Sequence, residues 1–117
     1  MIPISSGARV WLAGGHTDMR RGFDGLAADV AQTLRADPYS GAAFVFRSKR
    51  GDYVKILTWD GSGLCLFAKR LEKGRFVWPP IVEGALHLTS AQLALLVEGI
   101  DWRRTVAPEA PERPSFL

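Results

Sequence analysis

From Met19 the apolar residues Met19, Phe23, Leu26, Val30 and Leu34 recur at spacings of four, three, four and four. That is the period of one helix face, with Ala27 beside it, while Arg21, Asp24, Gln32 and Arg35 fall on the opposite side. The spacing predicts an amphipathic helix entered through Thr17 or Asp18 as its cap. Before it, Arg9-Val10-Trp11-Leu12-Ala13 is a short β-prone run ended by Gly14-Gly15 and reads as a first strand. Gly22 and Gly25 fall in the first turns of the helix, where each costs about 1 kcal/mol relative to Ala and so needs a reason. Close packing against a sheet or an irregular first turn supplies one; a backbone that must approach a ligand supplies another.

After the turn Asp37-Pro38-Tyr39-Ser40-Gly41 the period shortens to that of strands. Ala43–Arg47, Tyr53–Trp59 and Leu64–Arg70 are strand-like, separated by Ser48-Lys49-Arg50-Gly51-Asp52 and Asp60-Gly61-Ser62-Gly63. Glu72-Lys73-Gly74 turns again, and Arg75-Phe76-Val77-Trp78 reads as a fourth meander strand stopped by Pro79-Pro80. If Gly61-Ser62 is a two-residue loop, Trp59 faces Leu64 and Leu57 faces Leu66. Tyr53, Lys55, Leu57, Trp59, Leu64, Leu66, Ala68 and Arg70 then share one side, and Val54, Ile56, Thr58, Cys65, Phe67 and Lys69 the other. Both sides are largely apolar, so the sheet needs cover on both, from helices or from another chain.

Thr89-Ser90-Ala91-Gln92 has the spacing of a capping box, Leu93, Leu96, Val97 and Ile100 continue an apolar face, and Gly99 is placed to end a second helix. Pro108, Pro111 and Pro114 then punctuate a stretch without periodicity. Residues 1–104 are expected to form a single domain and residues 105–117 a proline-rich flexible tail.

Composition narrows the class. A hydrophobic share of 47% over 117 residues suits one buried core rather than a disordered chain. Cys65 is the one cysteine, which excludes an internal disulfide; in Leu64-Cys65-Leu66-Phe67 it reads as a small buried hydrophobe. No apolar stretch approaches the roughly 20 residues of a membrane span, and the N-terminal residues lack the pattern of a secretory signal, so a cytoplasmic location is expected.

Charge changes the picture more. Residues 47–75 hold eight of the fifteen Lys and Arg residues against Asp52, Asp60 and Glu72, a local excess of +5 where the whole chain has +3. A cationic surface displayed by a folded meander points to phosphates; Lys and Arg on exposed edge strands, which block aggregation, are the plainer reading. Arg47, Lys49, Arg50 and Lys73 fall at turns, where long cations reach successive phosphates, and Tyr53, Trp59 and Trp78 are rings that either stack bases or fill the core. Arg20-Arg21 and Arg103-Arg104 are secondary candidates. His16 and His87 lack partners at ligand spacing, so no metal is expected, and no phosphate-loop fingerprint appears among the twelve glycines. Asp18, Asp24 and Asp60 are the acids a nuclease centre would use, but capping, a polar helix position and a turn explain them respectively.

In order, Thr17-Asp18-Met19-Arg20-Arg21-Gly22-Phe23-Asp24-Gly25-Leu26, Phe44-Val45-Phe46-Arg47 and Lys55-Ile56-Leu57-Thr58-Trp59-Asp60-Gly61-Ser62-Gly63 form a recognisable series. Leu64-Cys65-Leu66-Phe67, Lys69-Arg70-Leu71-Glu72, Gly74-Arg75-Phe76, Trp78-Pro79 and Gly99-Ile100-Asp101-Trp102 continue it. Over residues 8–104 this resembles the TnpB accessory family of insertion-sequence family sixty-six, the product of that element's second open reading frame. The family is distinct from the RNA-guided nucleases that share the TnpB name. Its elements encode a separate, larger transposase with the acidic catalytic centre, so the resemblance implies an accessory to transposition and supplies no catalytic residues. Arg21 stands where Lys is common, Ala68 where an aromatic is common and Pro80 where a polar residue is typical; the change at position 68 weakens a stacking role for the third meander strand.

The expected fold is α+β, an antiparallel four- to five-stranded meander sheet packed with two helices. The expected function is a non-catalytic transposition accessory without cofactor, acting with the transposase and other proteins of its element. It is expected to contact DNA through Arg47, Lys49, Arg50, Lys55, Lys69, Arg70, Lys73 and Arg75. The competing expectation is a module that docks onto the transposase or another accessory subunit through an apolar sheet face, without touching DNA. Oligomeric state and DNA sequence preference stay open at this stage.

Overall fold

A computed structural model describes residues 4, 7–80 and 83–101. The elements in chain order are β1 (Val10–Ala13), α1 (Phe23–Gln32), β2 (Ala43–Arg47), β3 (Tyr53–Trp59), β4 (Leu64–Arg70), β5 (Ala85–Leu88) and α2 (Ser90–Val97). The sheet order is β4-β3-β2-β1-β5. The fold is α+β, as expected, but the sheet is mixed: β1 runs parallel to β2, and the other neighbours are antiparallel. The parallel pair follows from α1, which is long enough to carry the chain across the sheet between β1 and β2.

Trp59 pairs with Leu64 and Leu57 with Leu66, the register expected from a two-residue loop. Alternation therefore splits the core into two layers. Phe44, Phe46 and Leu57 pack with Leu26 and Val30 of α1 on one face. Val10, Val45, Val54, Ile56 and Leu88 pack with Leu93, Leu96 and Val97 of α2 on the other. Each helix supplies the cover that the two apolar faces required. β2 lies at the centre, and four of its five residues are buried, as a strand sandwiched between layers demands.

Three expectations are corrected. First, Arg75–Trp78 is not a strand. Leu71 N donates to Asp52 O at 2.8 Å and Phe76 N to Gly51 O at 3.0 Å, so the chain crosses the end of the β2–β3 hairpin instead of returning along β4. Phe76 is buried under the α2 layer, and that burial outweighs the local β propensity of the segment. Second, the fifth strand is β5, whose four residues carry too little pattern to be read and are fixed by pairing with β1. Third, α1 starts at Phe23 with Gly22 at its cap position and no side-chain cap, so neither Thr17 nor Asp18 caps it. Phe23 is 48% exposed, although the periodicity assigned it to the apolar face.

The glycine at position 25 has a local reason: a Cβ there would meet the Arg21 side chain at 3.3 Å. Arg21 folds back over the helix, donating to both carboxylate oxygens of Asp29 at 2.9 and 3.1 Å and to Gly25 O at 3.1 Å. The glycine therefore serves an internal ion pair. At the other end of the chain α2 follows its sequence closely. Thr89 and Gln92 form the reciprocal capping box, Gln92 N donating to Thr89 Oγ1 and Thr89 N to Gln92 Oε1. Gly99, at φ +78°, closes the helix with paired bonds from Gly99 N to Leu96 O and Ile100 N to Leu95 O. The expected tail over residues 105–117 lies outside the described residues.

Candidate nucleic-acid interface

The β2–β3 turn is held by one hydroxyl. Ser48 Oγ accepts from Gly51 N at 3.1 Å and Tyr53 N at 3.2 Å and donates to Asp52 Oδ1 at 3.3 Å. With Gly51 N and Tyr53 N bonded to that hydroxyl, the turn leaves Lys49 and Arg50 exposed to solvent. Gly51 sits at φ +80°, and a Cβ there would lie 3.2 Å from Trp78 Nε1 and 3.3 Å from Arg75 Cδ. Its carbonyl also accepts from Trp78 Nε1 at 2.8 Å. These contacts seat residues 75–80 beside the turn, and the space between them is a groove of about 670 Å³. Arg47, Lys49, Arg50 and Arg75 line it with Trp78 and Pro79, and among the described residues no carboxylate does.

A second groove, of about 540 Å³, lies against the same turn and also includes Lys49 and Arg50. Its further walls come from Arg70, Tyr53, Asp52 and the His16–Met19 segment. That segment is brought there by the parallel β1–β2 pairing and fastened by two bonds: Thr17 N donates to Arg47 O at 2.8 Å and Arg47 Nε to Gly15 O at 3.0 Å. Asp18 brings little free negative charge, because Arg20 meets it at 2.7 Å; that guanidinium holds the carboxyl down at about 2. A third cavity, of about 290 Å³ beside α1, contains Arg21 and Asp29, which satisfy one another.

The eight cations named from sequence separate into three sets. Arg47, Lys49, Arg50 and Arg75 meet at the first groove, and Arg70 joins Lys49 and Arg50 at the second. Lys55 and Lys69 are committed to the fold. Lys55, only 9% exposed, donates from Nζ to Arg21 O at 2.9 Å, and Lys69 Nζ donates to Val97 O at 2.8 Å near the end of α2. Lys73 is exposed in its turn but lines neither groove. Of the secondary pairs, Arg20 and Arg21 are taken by Asp18 and Asp29, and Arg103-Arg104 lies outside the described residues.

The aromatic candidates also have structural work. The Tyr53 ring centroid lies 5.9 Å from both Lys55 Nζ and Arg70 Cζ. Trp78 meets Phe76 edge-on at 5.7 Å. Trp59 meets Tyr39 edge-on at 5.4 Å, at the far end of β3 from the basic turn. A seven-residue strand puts about 20 Å between those ends.

The acids do not assemble. Asp60 follows Trp59 at that far end, where the amides of Ser62 and Gly63 donate to it and hold its carboxyl below the usual range. Asp24 is exposed on the first turn of α1. Among the described residues no group of three or more His, Cys, Asp or Glu side chains is placed to hold a metal ion. Cys65 is half-buried, and its thiol donates to Asp60 Oδ2 at 3.5 Å; burial and that carboxylate raise its pKa, the opposite of an activated nucleophile. His16 and Pro79 line these grooves and were not among the nucleic-acid candidates read from the sequence. Neither carried a local signal, since one arrives through β1 and the other through the Gly51 contact.

The sequence model of TnpB proteins of the IS66 elements, described as IS66 Orf2-like, matches residues 8–107. The chain belongs to the IS66 Orf2-like family. This places it among the accessory proteins of transposition, the setting the motif series implied. Two relatives from Sinorhizobium fredii bear the uncharacterised names y4hO and y4jC. They are 48% and 47% identical to the Orf2-like chain over 115 residues, covering 98% of it and 97% of each relative. No solved structure matches it. Among the described residues no helix is long and apolar enough to cross a membrane.

Proposed function

We propose that this chain is a non-catalytic, cytoplasmic transposition accessory that contacts DNA directly through the paired grooves of the β2–β3 turn. The observation that carries the reading is the first groove, where Arg47, Lys49, Arg50 and Arg75 converge with no carboxylate among the described lining residues. Four cations lining one open cleft, with no carboxylate among the described residues that line it, suit a phosphodiester backbone. Contacts of this kind position a protein on DNA without reading its sequence, which suits an accessory that works beside a separate transposase. The transposase and other proteins of the element are its further partners.

The docking alternative loses support from the fold. Most of the apolar sheet surface it required lies under α1 and α2, with Leu64–Phe67 of the edge strand β4 only half-buried. Among the described residues the exposed large apolar side chains, Phe23, Tyr39 and Ile100, are few.

The test is fluorescence anisotropy with element-end DNA over a salt series. With three or four phosphate contacts, the logarithm of the binding constant should fall against the logarithm of salt with a slope of about −3 to −4. The double substitution Lys49→Ala, Arg50→Ala should flatten that slope by about two. Absence of binding at low salt by the unsubstituted protein would sink the proposal.

A further inference from the structure

We infer that the DNA taken by this interface is duplex, and that the β2–β3 turn enters its major groove as a ridge with one phosphodiester strand in the furrow on either side. The inference rests on the DNA reading above and adds the form of the nucleic acid and the pose. The two grooves share Lys49 and Arg50 and no other cation. The turn is therefore a wall between them, and Lys49 and Arg50 line both of its sides. Beyond these two, Arg47 and Arg75 stand on one side and Arg70 with His16 on the other. A duplex presents two rows of phosphates flanking a groove, and a single strand presents one. The major groove, about 12 Å wide, admits an element as broad as two strands; only the turn Ser48–Asp52 would enter it, because β2 and β3 are flanked in the sheet by β1 and β4.

The rings point the same way. Proteins that hold single strands without sequence preference stack successive bases on open aromatic faces. Here Tyr53 already has two cations near its ring, and Trp78 is tied to Gly51 O and set against Phe76. Trp59 lies at the other end of β3. Among the described residues, the Tyr53 and Trp78 rings that line the furrows thus each have partners within the protein.

The furrows differ in strength. Among the described residues the first has no carboxylate, whereas the second contains Asp52, bonded to Ser48 Oγ, and Asp18, paired with Arg20. The strand beside Arg75 is thus held more tightly than the strand beside Arg70.

The experiment compares a duplex of about two helical turns with either of its single strands at equal salt, using the whole protein. The duplex should bind at least about tenfold more tightly. Arg70→Ala and Arg75→Ala, both at exposed positions and checked for folding by circular dichroism, should each flatten the salt slope by about one, and the double variant by about two. Methylation of guanine N7, which faces the major groove, should interfere with binding. Equal or tighter binding of single strands overturns the inference while leaving DNA contact intact. So does a slope that responds to one arginine only, or binding indifferent to N7 methylation. Loss of all DNA binding by the unsubstituted protein overturns the inference and the DNA reading together.

Discussion

Gly51→Ala tests how the proposed interface is built, because that residue joins the turn to the segment that completes the first groove. Three costs follow from the structure. An alanine at φ +80° carries a left-handed penalty of roughly 1 kcal/mol. Its Cβ would sit 3.2 Å from Trp78 Nε1 and 3.3 Å from Arg75 Cδ, so both side chains must give by a few tenths of an ångström. That displacement loosens the bonds from Trp78 Nε1 and Phe76 N to Gly51 O, at a cost of about 1 kcal/mol or more. The expected loss is about 2–3 kcal/mol, against about 1 kcal/mol for Gly74→Ala, where φ is +76° and nothing lies within 4 Å of the new Cβ. Urea unfolding followed by tryptophan fluorescence compares the two variants, with equal slopes expected and different midpoints. The same difference should appear as several degrees in the thermal midpoint. Gly51→Ala should also weaken DNA binding by moving Arg75, whereas Gly74→Ala should not. If the two variants are equally stable to within about 0.5 kcal/mol, the packing of Trp78 on Gly51 has no energetic weight, and the account of how the groove is held falls.

Lys55→Met and Lys69→Met should each cost about 1–2 kcal/mol, by leaving Arg21 O and Val97 O without their charged donors, and should leave the DNA salt slope unchanged. A flatter slope in either variant would place that ammonium on phosphate instead. Thr89→Ala removes half of the capping box and should lower stability by about 1 kcal/mol in urea unfolding; no change would mean that tertiary packing alone sets the start of α2. The Asp18 carboxyl, bonded by Arg20, is held at about 2, below its unfolded value of about 3.9. Its contribution to stability is therefore fully present above about pH 4 and lost as pH falls through about 2. Carboxyl carbon titration by NMR should find that low midpoint, shifting back toward 4 in Arg20→Ala, and an ordinary midpoint in the unsubstituted protein would refute the pairing.

Much of the local structure was legible because local causes set it. The capping box at Thr89 and Gln92, the left-handed Gly99 and the three runs that became β2, β3 and β4 each depend on residues a few positions apart. The register of β3 on β4 followed from one loop length, and with it the prediction that both faces need cover. Recognition of the family likewise needed only the ordered motifs. Errors arose where a distant partner competed with local pattern. Arg75–Trp78 has the composition of a strand, yet burial of Phe76 and the bond from Trp78 to Gly51 hold it across the hairpin end. β5 is too short to announce itself and exists through β1.

The same division runs through the interface. Sequence by itself determined that cations crowd residues 47–75 and that a meander displays them, since both are properties of neighbouring residues. It had no means of telling which ammonium groups are free. Lys55 and Lys69 look like Lys49 on the page, but their strand positions aim them at Arg21 O beside α1 and at Val97 O in α2. Arg70 and Arg75, five residues apart in the chain, fall on opposite sides of the turn. Only tertiary structure decides such matters, because the free or bonded state of a long cationic side chain depends on carbonyls and carboxylates brought near by the packing of remote segments.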